Sequence, residues 1–324
     1  MAVSVPVAKE TWAGKVRQVT LGASPAEGGT RGRTVTVGGE TTLPFLHFEG
    51  EIPNRPAIAM EITDQPPQGW SPILLEAWGD LVSDVGAWAS EAEQLGVDLI
   101  ALSLDSAHPE RGDTGPDEAR AAVRKVLEAT SLPLIIYGPA QPEKDNEVLV
   151  AAAEEAAGER VALGNCEEKN YRTIVAAALA HHQLVIAKSS IDVNLAKQIN
   201  ILISDMRLEL HNVLMDPTTG GLGYGLEYTY SVMERLKLAT LTGDSMTRQP
   251  MIVTAGYEAW RSKECKVNKG VPEEWGEWHR RSRLWEVITA DSLLESGADI
   301  VVLHHPDAVA AVKRTIDKLM VNGS

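Results

Sequence analysis

Eight short apolar segments, each separated from the next by an amphipathic stretch, constrain the fold of this chain more than any other feature of its sequence. Because the buried strands of a parallel sheet are short apolar runs, this alternation predicts repeated strand–helix units. The predicted strands are AIAMEI (57–62), VDLIALSL (97–104), LPLIIYG (132–138), RVALGN (160–165), QLVIAKS (183–189), NVLMDP (212–217), PMIVTAG (250–256) and DIVVLHH (299–305).

The stretches between these strands have the period of amphipathic helices. The fifth carries an apolar stripe that recurs every three or four residues, and Asp192 in its first turn suits the positive end of a helix. That stripe consists of Ile191, Leu195, Ile199, Leu202 and Met206. The predicted helices span residues 84–95, 116–129, 144–157, 168–181, 191–206, 227–241, 281–296 and 306–320.

Eight strand–helix units in series predict an α/β fold, a (β/α)8 TIM barrel within residues 57–324. An open doubly wound sheet is the alternative, but the barrel is the simpler solution for this number of units. Residues 1–56 do not fit the repeat, and we predict that they form an N-terminal extension packed on the barrel. Within it, the run TVTVGGE around Gly38 and Gly39 predicts a hairpin that caps one barrel end.

Composition limits the partners and the location of the chain. The formal net charge of -15 opposes binding to the phosphates of nucleic acid. No apolar run is long enough to span a membrane, and the first residues do not have a signal-peptide pattern, so we expect a cytoplasmic protein. There are two cysteines, Cys166 and Cys265, whereas an iron–sulfur cluster usually takes about four.

Polar side chains follow several predicted strands, where barrels of this type carry their active sites. Asp64, Asp105, Asn165 and Asp216 are expected at one barrel mouth, where carboxylate and amide groups could bind a pterin-like ring or the amide side chains of a corrin. For Asp105 and Asp216, capping of the helix that follows the strand is an equally open interpretation.

A glycine-rich segment, DPTTGGLGYGLEY (216–228), follows the sixth strand. Gly220, Gly221 and Gly223 would let the backbone approach a polar ligand closely, with Tyr224 between them and the next helix. The segment lacks the Gly-Lys-Ser/Thr ending of a phosphate-binding loop. A tight turn that requires glycines explains the pattern equally well.

The stretch at 257–281 is too long for an ordinary connection between a strand and a helix. It contains Trp260, Trp275 and Trp278, and aromatic residues on such a loop are typical anchors for a partner or for a mobile cover. The alternative is that these tryptophans only pack the loop onto its own barrel.

The sequence does not support a metal-ligand set or a catalytic nucleophile. Because adjacent strand residues face opposite sides, His304 and His305 cannot easily chelate one ion; we expect one ring at the mouth and the other outside. Ser189 and Ser190 lack a G-x-S-x-G turn, and Cys166 has no base that the sequence would position beside it. We therefore assign no catalytic residue and no metal ligand.

Three long segments resemble one known family. They are GGTRGRTVTVGGETTLPFLHFEGEIPNRPAIAMEI (28–62), NVLMDPTTGGLGYGLEY (212–228) and PMIVTAGYEAWR (250–261). Together they resemble the small subunit of the corrinoid/iron–sulfur protein of acetogens, called the delta subunit in the related methanogen complex. The likeness extends over essentially the whole chain.

The resemblance implies a heterodimer in which the C-terminal face of the barrel helps to cover a cobamide held mainly by a large subunit. In that family a separate methyltransferase moves a methyl group from methyltetrahydrofolate to Co(I), and the cobamide then delivers it to acetyl-CoA synthase. The [4Fe-4S] cluster lies on the large subunit, in agreement with the two cysteines here.

No histidine lies two residues after an aspartate, so the Asp-x-His-x-x-Gly pattern that supplies a cobalt ligand in other corrinoid proteins is missing. We expect contacts to the periphery of the cofactor instead. The candidates, chosen by their position in the barrel, are Gly220, Gly221, Gly223, Tyr224, Asp105, Asn165 and Asp216. A non-catalytic subunit is favoured; the alternative is a pterin-dependent methyltransferase that binds methyltetrahydrofolate in its own barrel.

Overall fold

A ring of eight parallel strands forms the centre of the molecule. The structure, a computed structural model, describes residues 7–322. The strands of the ring are β3 (Ala57–Thr63), β4 (Leu99–Ser103), β5 (Leu134–Tyr137), β6 (Ala162–Cys166), β7 (Leu184–Lys188), β8 (Val213–Asp216), β9 (Ile252–Val253) and β10 (Ile300–Leu303). They pair in the order β8-β7-β6-β5-β4-β3-β10-β9, and a bridge between Met215 and Met251 joins the two ends. The predicted TIM barrel is confirmed.

Helices surround this ring. They are α1 (Pro72–Trp78), α2 (Val85–Gln94), α3 (Pro116–Ala129), α4 (Pro142–Glu155), α5 (Tyr171–His181), α6 (Val193–Asp205), α7 (Leu226–Leu241), α8 (Ala255–Arg261), α9 (Lys263–Lys266), α10 (Trp278–Glu295) and α11 (Pro306–Asn322). The sequence patterns predicted eight of them and missed α1, α8 and α9. Among residues 7–322, no helix is long and apolar enough to cross a membrane.

The predicted apolar stripe of α6 is partly wrong. Asp192 caps the helix by accepting hydrogen bonds from the N–H groups of Asn194 and Leu195, at 2.7 and 3.0 Å. The buried face contains Ile199 and Ile203, whereas Leu195 is 43% exposed. The reason is that Leu195 lines a surface cavity of about 300 Å³ at the C-terminal end of the barrel, whereas Ile191, Leu202 and Met206 pack against the core as predicted.

Alternation along the strands divides the barrel interior into two parts. The lower, apolar part is filled by the inward residues Ala57, Ala59, Leu99, Ala101, Ile135, Ala162, Leu184, Ile186, Leu214, Ile252, Ile300 and Val302. Since side chains alternate with a period of two, the next inward positions are at the C-terminal end. These positions are Glu61, Ser103, Tyr137, Lys188, Asp216, Thr254 and His304, which all line one cavity.

The N-terminal segment closes the opposite end of the barrel. Its strands β1 (Val19–Leu21) and β2 (Val35–Val37) pair antiparallel, and Val19, Leu21 and Val37 pack into the apolar interior. The predicted hairpin turn at Gly38 and Gly39 is wrong, because these glycines follow β2. Their φ angles of +80° and +95° suit glycine, and a Cβ on Gly38 would lie 2.1 Å from the Arg17 carbonyl oxygen, so close approach explains them.

Candidate functional site

A cavity of about 510 Å³ lies at the C-terminal end of the barrel. Its size is within the range of sites that hold a small molecule or part of a cofactor. Trp70, Tyr257 and Trp260 supply aromatic walls, while Arg111 and Lys266 add positive charge. The cavity combines flat apolar surface with polar groups at the strand ends.

The floor of this cavity is an ion pair between β3 and the end of β10. The His304 Nε2 atom lies 2.8 Å from Glu61 Oε2, and the Ser103 hydroxyl donates to Glu61 Oε1 at 2.8 Å. Burial opposes the charge on each group, but their mutual attraction prevails: the pKa of Glu61 is lowered and that of His304 is raised. Trp70 stacks on the His304 ring at 4.8 Å, which fixes the imidazole in place.

Glu286 and Trp260 form a second group of contacts beside this ion pair, and these contacts hold the His304 and His305 rings in different positions. Glu286 accepts hydrogen bonds from the backbone N–H of His304 at 2.6 Å and from Trp260 Nε1 at 2.9 Å. The His305 ring stacks on Trp260 at 5.6 Å, and burial lowers its pKa to about 4. His304 lines the cavity and His305 does not, which confirms the prediction that the two rings face different ways.

Several buried polar atoms of the cavity wall have no hydrogen-bond partner among the described residues. They are the Tyr137 hydroxyl, Asn165 Oδ1, Asp105 Oδ2 and His304 Nδ1. Buried polar atoms are nearly always paired in native proteins, because an unpaired one costs about 1–3 kcal/mol. Four such atoms around one cavity therefore indicate a site built to receive a ligand with its own donors and acceptors.

Lys188 places one cation among buried carboxyl groups. Within residues 7–322, its ammonium makes no hydrogen bond or ion pair. Burial raises the pKa of Asp216 and of Glu258, and it raises that of Asp145 to about 7, while the Lys188 charge partly offsets each shift. Of these three carboxyl groups, Asp216 lines the cavity, whereas Asp145 and Glu258 lie outside its lining.

Of the predicted site residues, Asp105, Asn165 and Asp216 line the cavity together. The capping interpretation is wrong, because Gly115 and Gly225 precede the helices that follow Asp105 and Asp216. Asp105 pairs with Arg111, and Asp216 accepts the Thr218 N–H at 2.8 Å within a turn.

Asp64, which the sequence also placed at the mouth, lies outside the lining of the cavity. Its Oδ1 atom accepts the Ser106 N–H at 2.9 Å, and the Ser106 hydroxyl donates to its other oxygen. The carboxyl therefore braces the turn after β4.

The glycine-rich loop does not line the cavity. Its N–H groups are used internally: that of Gly220 donates to Thr229 Oγ1 at 2.6 Å, and that of Tyr224 donates to the Gly221 carbonyl at 2.8 Å. A Cβ on Gly221 would lie 3.3 Å from Glu258 Cβ, so the loop packs closely on α8. These contacts favour the tight-turn interpretation, and cofactor binding by Gly220, Gly221, Gly223 and Tyr224 stays a prediction.

The segment 257–281 is folded onto the barrel as α8, α9 and the start of α10. Arg281, which is 8% exposed, donates to the carbonyl oxygens of Glu264 at 2.8 Å and Val267 at 2.7 Å. Trp278 Nε1 donates to the Cys265 carbonyl at 2.9 Å. The interpretation that the tryptophans pack the segment onto its own barrel is supported for Trp260 and Trp278.

Glu61 and Tyr137 are site residues that the sequence analysis missed. Both lie inside predicted strands and not at the strand ends where barrels of this type carry their active sites. The alternation Ala57, Ala59, Glu61 on β3 was the available signal, because it places the carboxylate on the same inward face as two core alanines.

Comparison with known proteins agrees with this architecture. Residues 18–315 match the family model described as CO dehydrogenase/acetyl-CoA synthase delta subunit. The chain belongs to this family. The delta subunit of the acetyl-CoA decarbonylase/synthase complex of Archaeoglobus fulgidus is 36% identical over 317 residues, which are 96% of this chain and 70% of that relative. The delta subunit from Methanopyrus kandleri is 36% identical over 306 residues, 94% of this chain and 75% of the relative.

Solved structures of dihydropteroate synthases have the same fold. The enzyme from Coxiella burnetii, in complex with pteroic acid, has a TM-score of 0.57 at 11% sequence identity and covers 87% of this chain and 99% of its own. The enzyme from Xanthomonas albilineans has a TM-score of 0.54 at 15% identity, with 82% and 92% covered. At these identities the likeness concerns the fold alone.

Proposed function

We propose that this chain is the small subunit of a corrinoid/iron–sulfur methyl carrier, which accepts a methyl group that a methyltransferase takes from methyltetrahydrofolate and passes it to acetyl-CoA synthase. The observation that carries the proposal is the match of residues 18–315 to the delta subunit family. In this proposal the chain forms a heterodimer with a large subunit and is not itself the catalyst.

The donor and acceptor groups of the cavity fit the edge of a cobamide. Its ring carries amide side chains, whose N–H groups would donate to Asn165 Oδ1 and Asp105 Oδ2, while Lys188 would donate to amide carbonyls. When bound, the cobamide supplies the cobalt that carries the methyl group. Trp70, Tyr257 and Trp260 would exclude water from that face.

The proposal gives this chain contacts to the periphery of the cofactor and no ligand to its metal. His304 Nε2 pairs with Glu61 and the ring stacks on Trp70, while Nδ1, which has no partner among residues 7–322, would hydrogen-bond the ligand. Cys166 and Cys265 are buried, and burial raises the pKa of both thiols, that of Cys265 to about 12, so neither is a ready thiolate. The proposal therefore assigns the [4Fe-4S] cluster to the large subunit.

The second candidate is a pterin-dependent methyltransferase. The unpaired acceptors Asn165 Oδ1 and Asp105 Oδ2 in a cavity of about 510 Å³ would also suit the N–H groups of a pterin ring. In that case the chain alone would bind methyltetrahydrofolate, whereas the carrier subunit requires its large partner to hold a cofactor.

An anaerobic co-purification separates the two functions. The tagged chain is produced with its large subunit in a host supplied with corrinoid, and cobalt, iron and visible absorbance are measured on the purified material. We expect a one-to-one complex that contains both metals. A chain that ignores the large subunit but binds methyltetrahydrofolate, measured by calorimetry, would replace the carrier with the methyltransferase.

A further inference from the structure

A second cavity, of about 300 Å³, lies between one face of α6 and residues 167–169, which lead into α5. We call it the α6 cavity. Among residues 7–322, Lys188 alone lines both this cavity and the one at the barrel mouth, so the two are separate sites that share one wall. The volume is at the lower end of the range for sites that hold small molecules.

One wall of the α6 cavity is apolar. It is formed by Leu195, Ile199 and Leu202, which recur at three- and four-residue steps and therefore lie on one face of the helix. Ile199 is buried, whereas Leu195 leaves 43% of its surface exposed at the opening. An aliphatic group placed in the cavity would cover Leu195 and remove apolar surface from water, which favours binding.

A hydroxyl group without a partner lies in the opposite wall. Ser189 is 9% exposed, and its Oγ atom has no hydrogen-bond partner within residues 7–322. Its backbone is fully paired, because the Ser189 N–H donates to the Asp216 carbonyl at 3.0 Å and the Ser189 carbonyl accepts the Thr218 hydroxyl at 2.5 Å. Since buried polar atoms are nearly always paired, the free hydroxyl indicates that a ligand supplies its partner.

Charged groups of both signs line the α6 cavity without pairing to each other. Glu167 and Glu168 make no side-chain hydrogen bond or ion pair in the described part of the chain, and the ammonium groups of Lys169 and Lys188 make none either. A ligand with a single charge would leave one of these signs unmatched. A ligand that carries both an ammonium and a carboxylate group would pair with both.

The cavity does not suit a phosphate group. The first turn of α6 is already capped, because the Asp192 carboxylate accepts the N–H groups of Asn194 and Leu195 at 2.7 and 3.0 Å. These N–H groups are therefore not available to an anion, and the carboxylate offsets the positive end of the helix. The small volume also excludes a ligand as large as a nucleotide.

We propose that the α6 cavity binds a small aliphatic α-amino acid. Its ammonium group would pair with Glu167 or Glu168, and its carboxylate would accept hydrogen bonds from the Ser189 hydroxyl and the Lys169 ammonium. Its side chain would pack on the apolar face of α6. The inference is independent of the proposed function, because it rests on residues that, apart from Lys188, lie outside the barrel mouth.

Calorimetric titration of the full chain with L-leucine tests the inference, together with NMR spectra of the chain labelled at its leucine and isoleucine methyl groups. We expect saturable binding that shifts the methyl signals of Leu195 and Leu202. Two analogues test the charges: isoamylamine lacks the carboxylate of leucine, and isocaproate lacks its ammonium group. Each analogue should bind at least about tenfold more weakly than leucine, because it loses one charge-assisted contact.

Variants locate the binding. Ser189→Ala removes the free hydroxyl, and Leu195→Ser removes the exposed part of the apolar wall; each should weaken leucine binding about tenfold. Neither change should prevent folding, because the hydroxyl has no partner in residues 7–322 and Leu195 is largely at the surface. Ile201→Ser is the matched control, since Ile201 is on the same helix and 39% exposed but lies outside the lining of the cavity. It should bind leucine as the unaltered chain does.

Each other outcome overturns the inference. No binding of leucine, or binding that Ser189→Ala and Leu195→Ser leave unchanged, shows that the α6 cavity is not an amino-acid site. Isoamylamine that binds as tightly as leucine would reassign the cavity to an aliphatic amine, and isocaproate that does so would reassign it to a carboxylate. The carrier function is tested separately by co-purification with the large subunit, so failure here leaves it intact.

Discussion

Buried ion pairs at the N-terminal end of the barrel contrast with unpaired polar atoms around the cavity at its C-terminal end. At the N-terminal end, Lys237 lies between Glu40 and Asp299, and Arg31 pairs with Glu159 at 2.7 Å, so that these buried charges are all matched within the chain. At the C-terminal end, Tyr137 and Asn165 retain buried oxygens without a partner among residues 7–322. The first arrangement stabilises the fold, whereas the second gives up stability at a site reserved for a ligand.

The N-terminal cluster joins four separate parts of the chain. Lys237 on α7 is 2% exposed; Glu40 follows β2, and Asp299 precedes β10 and also accepts the Met251 N–H at 2.7 Å. Burial, together with repulsion from Glu40, raises the pKa of Asp299, and Lys237 opposes that rise. The ammonium therefore makes it possible for two carboxylates to share one buried site.

The largest expected effect comes from removal of that ammonium. Lys237→Met leaves two carboxyl groups buried without a cation, and we expect the free energy of unfolding to fall by about 3–5 kcal/mol. Urea denaturation followed by circular dichroism measures the change. Lys125→Met is the control, because Lys125 pairs with Asp84 on the surface, where both side chains are about half exposed, and its loss should cost less than about 1 kcal/mol. An equal loss of unfolding free energy in Lys237→Met and Lys125→Met would contradict the conclusion that the buried ion pairs of the N-terminal end stabilise the fold.

At the barrel mouth, Glu61 and His304 form a buried ion pair. The pH dependence of its contribution to stability tests the comparison between the two ends of the barrel. Glu61 has a pKa below its ordinary 4.5, so its contribution is present above 4.5 and is lost as pH falls through the lowered value. His304 has a pKa above its ordinary 6.5, so its contribution is present below 6.5 and is lost as pH rises through the raised value.

Glu61→Gln should therefore reduce stability by about 2–3 kcal/mol between pH 4.5 and 6.5, and by less on either side. The same change should lower the pKa of His304, which an NMR titration of its ring protons measures. An unchanged pKa of His304 would show that Glu286, whose charge also acts on the ring, is its main partner.

Sequence patterns predicted the barrel well because its strands are buried on both sides and its helices are amphipathic. On α11, for example, Val309, Val312 and Ile316 recur at three- and four-residue steps, and all three are buried. The predicted turn at Gly38 and Gly39 was wrong for a physical reason: β1 and β2 are three residues each and are joined by residues 22–34, so their pairing depends on the barrel end that they cover. No local pattern shows such a contact.

The candidate site was only partly predictable. Asp105, Asn165 and Asp216 were found because carboxyl ends of parallel strands meet at one edge, a rule that requires only the order of elements. Glu61 could be predicted only from the phase of alternation within β3, which places it on the same face as Ala57 and Ala59. The position of the glycine-rich loop on α8 was not predictable, since it depends on close packing between Gly221 and Glu258, which are far apart in the sequence.

A third prediction concerns the carboxyl group beside Gly138. Asp145 is 2% exposed, its Oδ1 has no partner in the described residues, and burial raises its pKa to about 7 from 3.8. Because the folded state holds this proton more tightly, Asp145 makes stability fall as pH rises from 3.8 through about 7.

Asp145→Asn should remove that part of the decline, so that the variant is more stable than the unaltered chain by about 1–2 kcal/mol at pH 8 and nearly equal at pH 4. Thermal denaturation at the two pH values measures the difference. If the variant is less stable than the unaltered chain at both pH values, the Asp145 carboxylate stabilises the fold, as the buried ion pairs at the N-terminal end of the barrel do.

Tyr137→Phe should have the smallest effect on stability, and it tests most directly whether the C-terminal end of the barrel is a ligand site. Tyr137→Phe removes a buried hydroxyl that has no partner in the described part of the chain, so the free energy of unfolding should rise by about 0.5–1 kcal/mol instead of falling. If the C-terminal end is a ligand site, the same variant should retain less corrinoid in the assembled complex, measured as cobalt per heterodimer. A gain in stability with full cobalt content would mean that the hydroxyl serves another ligand, and a loss of stability would mean that it is paired within the chain.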